Sequence, residues 1–94
     1  MPYILIHHKV QDYAKWKTVF DEHANMRKSG GSKGGWLFQS ADNAEEIVIV
    51  FEWDSLENAR AFTSSDDLRA AMEKAGVAGP PTIVFMEQLE TLTT

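Results

Sequence analysis

The histidines of this chain are the residues best suited to acid–base chemistry near neutral pH, because an imidazole has an ordinary pKa of roughly 6.5. There are three, and two of them, His7 and His8, are adjacent within the apolar run "YILIHHKV". Side chains alternate along a strand, so these two are predicted to point to opposite faces and cannot share a site in one chain. His8 shares a face with Ile4 and Ile6 and is our preferred catalytic histidine of the pair. A buried, hydrogen-bonded structural role is the alternative for either.

The third histidine, His23, lies on a predicted helix whose apolar and aromatic residues recur at steps of three and four. It falls on the aromatic face of that helix, between Phe20 and Arg27, and is expected to point inward. His23 is therefore a candidate general base for a phenol or an enolisable carbon, and the alternative is that it flanks the core and binds water. Arg27 is a candidate for holding a substrate carboxylate or phenolate, although a cation near a helix C-terminus also complements the helix dipole.

Aromatic side chains are the candidates for binding a flat ring, because they offer large apolar walls. We assign this role to Tyr13 and Trp16, on the same helix as His23, and to Trp36, which follows the segment "GGSKGG" and is expected at a pocket mouth. Packing in the core is the alternative role for most of the aromatic residues. The catalytic candidates are thus His23 and His8, and the substrate-binding candidates are Tyr13, Trp16, Arg27 and Trp36.

Sequence patterns for metal or phosphate binding are missing. There is no HExxH, no histidine pair four residues apart and no acidic calcium loop. The segment "GGSKGG" follows a helix and enters a strand, the reverse of a phosphate-binding loop, and is predicted to be a mobile turn. We therefore expect no metal site and no cofactor. Glu52 has two predicted roles: an acid at the end of a strand, or a buried partner that raises the pKa of a histidine on the first strand. The second role assumes that the first strand lies next to the strand of Glu52 and runs parallel to it.

Apolar periodicity and turn residues predict a β, α, β, β, α, β order, which is typical of a ferredoxin-like α+β fold. The predicted elements are a strand over 3–10, a helix over 12–29 ended by Gly30 and Gly31, strands over 34–41 and 47–53, two short helices capped by Asp54 and Ser64, the latter ended by Gly76, and a strand over 82–89. The second helix is thus split in two. The whole chain, residues 1–94, is expected to form a single domain.

The strand pattern also predicts a partner subunit. Ile47 and Ile49 alternate with Val48 and Val50, so both faces of this strand are apolar, although an antiparallel sheet with one solvated face would carry polar residues on that side. The helices of one chain can cover only one face. We therefore expect a homodimer that packs sheet to sheet through the open face.

Charge and composition exclude other classes of partner. The net charge is −5 with acids and bases interspersed, so no basic stripe is present to follow a nucleic acid backbone. No apolar run approaches the ~20 residues of a membrane span, and no secretory signal pattern is present. We therefore expect a protein that binds neither nucleic acid nor membrane. The chain has no cysteine, which is typical of a reducing compartment, and we expect it to be cytoplasmic.

Three segments resemble the dimeric α+β barrel proteins of the antibiotic biosynthesis monooxygenase-like superfamily. They are "HKVQDYAKWKTVFDEH", which His8 opens, "FEWDSLENARAFTSSDDLRAAMEKAGV" and "GPPTIVFME", and they span nearly the whole chain. The resemblance is closest to a bacterial branch described as uncharacterised or, provisionally, as cyclases. It implies a ferredoxin-like fold that forms a dimeric α/β barrel, with a pocket between the sheet and the helices of each protomer. Haem-degrading relatives carry an axial ligand on the helical stretch after the third strand, but residues 55–75 here contain no histidine.

Three functions follow as hypotheses. The resemblance implies a cofactor-independent monooxygenase, or an isomerase or cyclase, that acts on an aromatic or polyketide-like molecule. The second hypothesis is a non-catalytic protein that binds a small aromatic ligand. The third is a dimeric structural module whose core is filled and has no pocket.

Overall fold

The computed structural model describes all 94 residues and contains one antiparallel four-stranded sheet with four helices on one face. The strands lie side by side in the order β2-β3-β1-β4. The elements are β1 (Pro2–Val10), α1 (Tyr13–Glu22), α2 (Ala24–Gly30), β2 (Ser32–Gln39), β3 (Glu46–Trp53), α3 (Leu56–Thr63), α4 (Asp66–Ala75) and β4 (Val77–Glu87). This is the predicted ferredoxin-like α+β arrangement, including the division of its second helix into α3 and α4.

Strand β1 lies at the centre of the sheet and is antiparallel to both β3 and β4. The prediction that the first strand and Glu52 belong to parallel neighbours is therefore wrong. In the observed register Glu52 lies opposite Tyr3, at the far end of β1 from the histidines. The acid that approaches a histidine is Glu46, whose Oε1 is 3.4 Å from His7 Nε2.

One face of the sheet carries the core beneath the helices. The strand residues on this face alternate with less buried ones, as expected where only one side is covered. Trp53 is fully buried, and its Nε1 donates a hydrogen bond of 3.0 Å to the Gly30 carbonyl, which ties the end of α2 to the end of β3. The buried hydrophobic residues are Ile4, Ile6, Val10, Trp16, Val19, Ile47, Ile49, Phe51, Trp53, Ala59, Phe62, Ala71 and Ala75.

The helical segment after β1 is interrupted, whereas a continuous helix was predicted. At His23 the backbone angle ψ is 2°, and the His23 N–H is shared between the carbonyls of Val19 at 3.2 Å and Phe20 at 3.3 Å. Periodicity alone did not reveal the break, because the apolar pattern continues across it. The segment ends at Gly30 as predicted. Gly31 has a φ of +118°, and a Cβ there would collide with Asp54 and Trp53.

The caps of the last two helices are one residue later than predicted. Ser55 Oγ accepts a hydrogen bond from the Asn58 N–H, and Ser65 Oγ accepts one from the Leu68 N–H. Asp54 instead accepts from the Asn58 side chain. Both serines have the extended backbone of an N-cap, which lets the hydroxyl turn back to the first helical turn.

Two strands begin earlier than predicted. Strand β2 starts at Ser32, so the last four of the six residues of "GGSKGG" belong to the sheet and are not a loop. Gly35 pairs with Phe51, and a Cβ at Gly35 would collide with the Val50 carbonyl. Strand β4 starts at Val77 and ends at Glu87, compared with the predicted 82–89. It includes two prolines, which an edge strand tolerates because their missing N–H groups need not pair.

The other face of the sheet has no helix over it. Trp36, Phe38 and Val84 on this face are 53%, 52% and 43% exposed. We call it the open face; its other apolar residues are Tyr3, Leu5, Val48, Val50 and Met86. None of the helices is both long and apolar enough to cross a membrane.

Candidate functional site

A small cavity lies between the covered face of the sheet and all four helices. Its volume is about 50 Å³, and its wall is mainly apolar. Its polar lining comes from His8, His23 and Arg27. The remaining lining residues are Ile6, Trp16, Val19, Phe20, Ile49, Phe51, Phe62, Leu68, Ala71, Met72 and Ala75.

His8 reaches this cavity because it occupies the same face of β1 as Ile4 and Ile6. It is 6% exposed, and neither ring nitrogen has a hydrogen-bond partner in the protein. Its ring meets Trp16 edge-on, with 5.6 Å between the ring centroids. Burial lowers the pKa of His8 to about 4, and the neighbouring His7 adds a smaller effect in the same direction. His8 is therefore a neutral imidazole at neutral pH, with one donor and one acceptor free to bind a ligand or water.

His23 reaches the same cavity from the junction between α1 and α2. The side chain is half-buried, and its Nδ1 is buried without a hydrogen-bond partner. The residue serves both as the C-cap of α1 and as the N-cap of α2, and its side chain makes no capping hydrogen bond. The helix break thus fixes the position of the ring, and its Nδ1 is free to bind a ligand or water.

Arg27 forms part of the cavity wall and is fixed against Phe20. Its Nη1 donates a 2.7 Å hydrogen bond to the Phe20 carbonyl, and its guanidinium carbon lies 3.8 Å from the Phe20 ring centroid and 5.6 Å from that of Phe51. Burial lowers the pKa of Arg27, and Asp21 partly offsets this effect. The Asp21 carboxylate itself is bound by Lys17, with a shortest N–O distance of 2.6 Å.

A larger groove, of about 670 Å³, adjoins the cavity beside α2 and β2. The two spaces share the side chains of Phe20, Arg27, Ile49 and Phe51 in their walls. The stacked Arg27 and Phe20 therefore stand between the enclosed cavity and the groove.

The structure brings together four of the six predicted site residues: His8, His23, Trp16 and Arg27 all line the cavity. Tyr13 does not reach it. It is 40% exposed and packs on the outer side of Trp16, with 5.9 Å between the ring centroids. Trp36 is also outside the cavity. It borders the groove, but its ring stacks on Tyr3 across the open face at 6.4 Å.

Sequence reasoning missed the contribution of α4, which closes the cavity with Leu68 and Met72. These residues are four positions apart and therefore share one face of α4, and this spacing is visible in the sequence. That signal marks only a core-facing side, and it does not reveal that this side meets the histidines. The cavity also carries no metal-binding cluster, since no three histidine, aspartate or glutamate side chains converge anywhere in the chain.

Comparison with known proteins finds similarity at the level of structure only. No protein-family model and no curated protein matches the chain. A structure from Bordetella bronchiseptica, provisionally named an antibiotic biosynthesis monooxygenase, has a TM-score of 0.80 at 17% identity and covers 95% of this chain and 97% of its own. A protein from Caulobacter crescentus with the same provisional name has a TM-score of 0.75 at 21% identity, covering 95% of this chain and 90% of its own.

A third similar structure is SnoaB from Streptomyces nogalater, which is described as a cofactor-independent oxygenase. Its TM-score is 0.76 at 13% identity, and the match covers 99% of this chain and 96% of that one. At such low identities the match concerns the backbone fold and not the site residues. The chain therefore has the fold of the antibiotic biosynthesis monooxygenase-like structures, as the resemblance of its sequence predicted.

Proposed function

We propose that this protein is a cofactor-independent monooxygenase that binds an aromatic or polyketide-like molecule against the cavity beneath α1. The observation that carries the proposal is the pair of imidazoles, His8 and His23, whose buried nitrogens lack partners in one apolar cavity. Unpaired buried polar atoms are unfavourable in a stable protein, so they are expected where a ligand or bound water completes the hydrogen bonds. The oxygenase described for SnoaB, on the same fold, supports the choice of reaction.

In the proposed reaction, an activated methylene of the substrate loses a proton to a base, and the resulting carbanion passes electrons to dioxygen. One oxygen atom becomes the carbonyl of the product, and the other leaves as water with the two hydrogens of the methylene. We assign His23 as the base, because burial disfavours the imidazolium of His8. His8 then serves as a neutral hydrogen-bond partner, and Arg27 stabilises the developing negative charge.

The volume of the cavity sets a condition on this proposal. Ligand pockets usually have volumes of roughly 300–1,000 Å³, whereas this cavity measures about 50 Å³. A ring substrate must therefore displace side chains or extend into the groove past Phe20 and Arg27. Met72 and Leu68 are only partly buried and are the other side chains available to move.

The test is oxygen uptake with a hydroxyanthrone, which has an activated methylene. The wild type should consume oxygen and form the quinone, and His23→Gln should lower the rate by at least roughly a hundredfold, as expected on removal of a general base. His7→Gln is the matched control, because His7 lies on the open face and should leave the rate unchanged. Equal rates for the wild type and His23→Gln would refute the assignment of the base.

A non-catalytic binding protein is the second candidate, and the unpartnered buried nitrogens of His8 and His23 support it as well. In that case His8 and His23 complete their hydrogen bonds to a bound ligand without any proton transfer. Ligand affinity without oxygen uptake, and without accumulation of any isomerised or cyclised product, would support this reading. Formation of such a product without oxygen uptake would instead support the isomerase or cyclase alternative.

We further propose that a second copy of the chain covers the open face, giving the homodimer expected from the sequence. Apolar side chains on both faces of β3, and exposed Trp36, Phe38 and Val84, support this assembly. Native mass spectrometry at micromolar concentration should give the dimer mass. A stable monomer would overturn the proposal.

A further inference from the structure

We propose that the groove beside α2 and β2 binds a negatively charged group, a carboxylate or a phosphate, carried by the ligand whose apolar part enters the cavity. The inference deepens the proposed function and rests on it. It concerns the groove of about 670 Å³, which lies outside the cavity that contains the two histidines.

The charged side chains that line the groove are all positive. Its twelve lining residues include Arg27, Lys28 and Lys33 and not one acid, in a chain that has 14 acids and only 9 lysines and arginines. With acids in excess over the whole chain, a groove lined by three cations and no acid is a local reversal of charge. A surface of one sign within a concave, low-dielectric wall attracts ions of the opposite sign.

These cations are free to bind a ligand. None of the three takes part in the four salt bridges of the structure, which involve His7, Lys17, Arg69 and Lys74. Arg27 uses one N–H, for the Phe20 carbonyl, and a guanidinium has five. Its remaining donors are available for a carboxylate or phosphate, which a guanidinium binds well in a two-pronged geometry.

Asp21, Asp54 and Glu52 are not among the residues that line the groove. Asp21 binds Lys17, and Asp54 accepts hydrogen bonds from the Asn58 side chain. Glu52 lies opposite Gly34 in the sheet, but its side chain belongs to the open face and does not line the groove. The wall of the groove therefore contains no carboxylate, and the acid that acts on it is Asp21, which interacts electrostatically with Arg27 from outside the groove.

The shared wall determines how one ligand would occupy both spaces. Arg27 and Phe20 border the cavity and the groove, so a molecule that displaces them would place its ring against the histidines and its charged group near Lys28 and Lys33. The ligand class is thus an aromatic molecule with an anionic substituent. A purely neutral hydrocarbon would leave the three cations unused.

The experiment compares two fluorescent probes with the same aromatic skeleton, anilinonaphthalene sulfonate and its neutral parent phenylnaphthylamine. The variant is K28Q/K33Q, and the matched control is K9Q/K15Q, which lowers the net charge equally at exposed lysines outside the groove. We expect the wild type to bind the sulfonate more tightly than the parent. K28Q/K33Q should weaken sulfonate binding by roughly tenfold, and the control by less than about twofold.

The outcomes separate the groove from the cavity. If both probes bind equally and K28Q/K33Q changes neither, the groove proposal is wrong and the cavity proposal stands. If only the sulfonate binds and K28Q/K33Q abolishes that binding, the groove proposal stands and the cavity proposal fails. Absence of binding by either probe refutes both. Displacement of the sulfonate by naphthoate or by naphthyl phosphate then decides whether the natural anion is a carboxylate or a phosphate.

Discussion

Replacement of His8 by leucine should make the free energy of unfolding less sensitive to acid. Burial lowers the pKa of His8 from 6.5 to about 4, so the unfolded chain binds a proton at this residue more readily than the folded chain does. Stability is therefore complete above the unfolded pKa and decreases as the pH falls through the window from 6.5 to about 4.

The magnitude follows from the pKa difference. A shift of this size corresponds to about 3 kcal/mol in the free energy of unfolding, of which about 2 kcal/mol is already lost at about pH 5. His8→Leu cannot bind a proton at this position, so its free energy of unfolding should not fall for this reason as the pH is lowered. It also removes two ring nitrogens without partners, so at neutral pH the variant should be at least as stable as the wild type.

The assay is urea unfolding at about pH 8 and about pH 5, at one protein concentration because assembly would shift the midpoint. The difference between the two pH values should be about 2 kcal/mol larger for the wild type than for His8→Leu. His7→Gln is the control and should retain most of the dependence, since desolvation and not His7 is the main cause of the lowered pKa. The same pH dependence in the wild type and His8→Leu would show that His8 is solvated or paired in the folded state, contrary to our reasoning.

Three further predictions concern a helix cap, a glycine turn and the proposed dimer. Ser65→Ala should lower the free energy of unfolding by about 1 kcal/mol because Ser65 caps α4, whereas Ser64→Ala should cost less than about 0.5 kcal/mol; thermal unfolding compares the two. Gly31→Ala should cost more than about 1 kcal/mol, because a positive φ and a collision with Asp54 both oppose a Cβ, and a loss below this value would contradict the observed cap. Phe38→Lys should convert the proposed dimer to a monomer in native mass spectrometry without unfolding the chain, and a retained dimer would place the interface elsewhere.

Much of the fold could be predicted from local pattern. The alternation in "IVIVFEW" and the helical spacing after Asp12 each reflect neighbours in sequence, so they predicted the element order and the apolar character of both sheet faces. The errors occurred where hydrogen bonds, and not the apolar pattern, fix the boundaries of an element. The break at His23, the caps at Ser55 and Ser65, and the early starts of β2 and β4 change hydrogen bonds without changing the apolar pattern.

The candidate site was predictable only residue by residue. Alternation placed His8 with Ile6, and helical spacing placed His23 with Arg27, so these side chains were recognised as potential partners. The sequence also predicted that Trp36 borders a pocket, but its ring stacks on the open face, because the register of β2 against β3 fixes its direction.

The order of the elements, the net charge and the residue types available for chemistry can all be inferred from the amino-acid sequence alone. The packing of the elements brings His8 from β1 and His23 from the helix junction into one cavity, and it places Lys28 and Lys33 in the wall of a groove that no acid lines. Periodicity describes which side of an element a residue occupies. Which sides face each other depends on how the elements pack, and this packing is set by contacts between residues far apart in the chain.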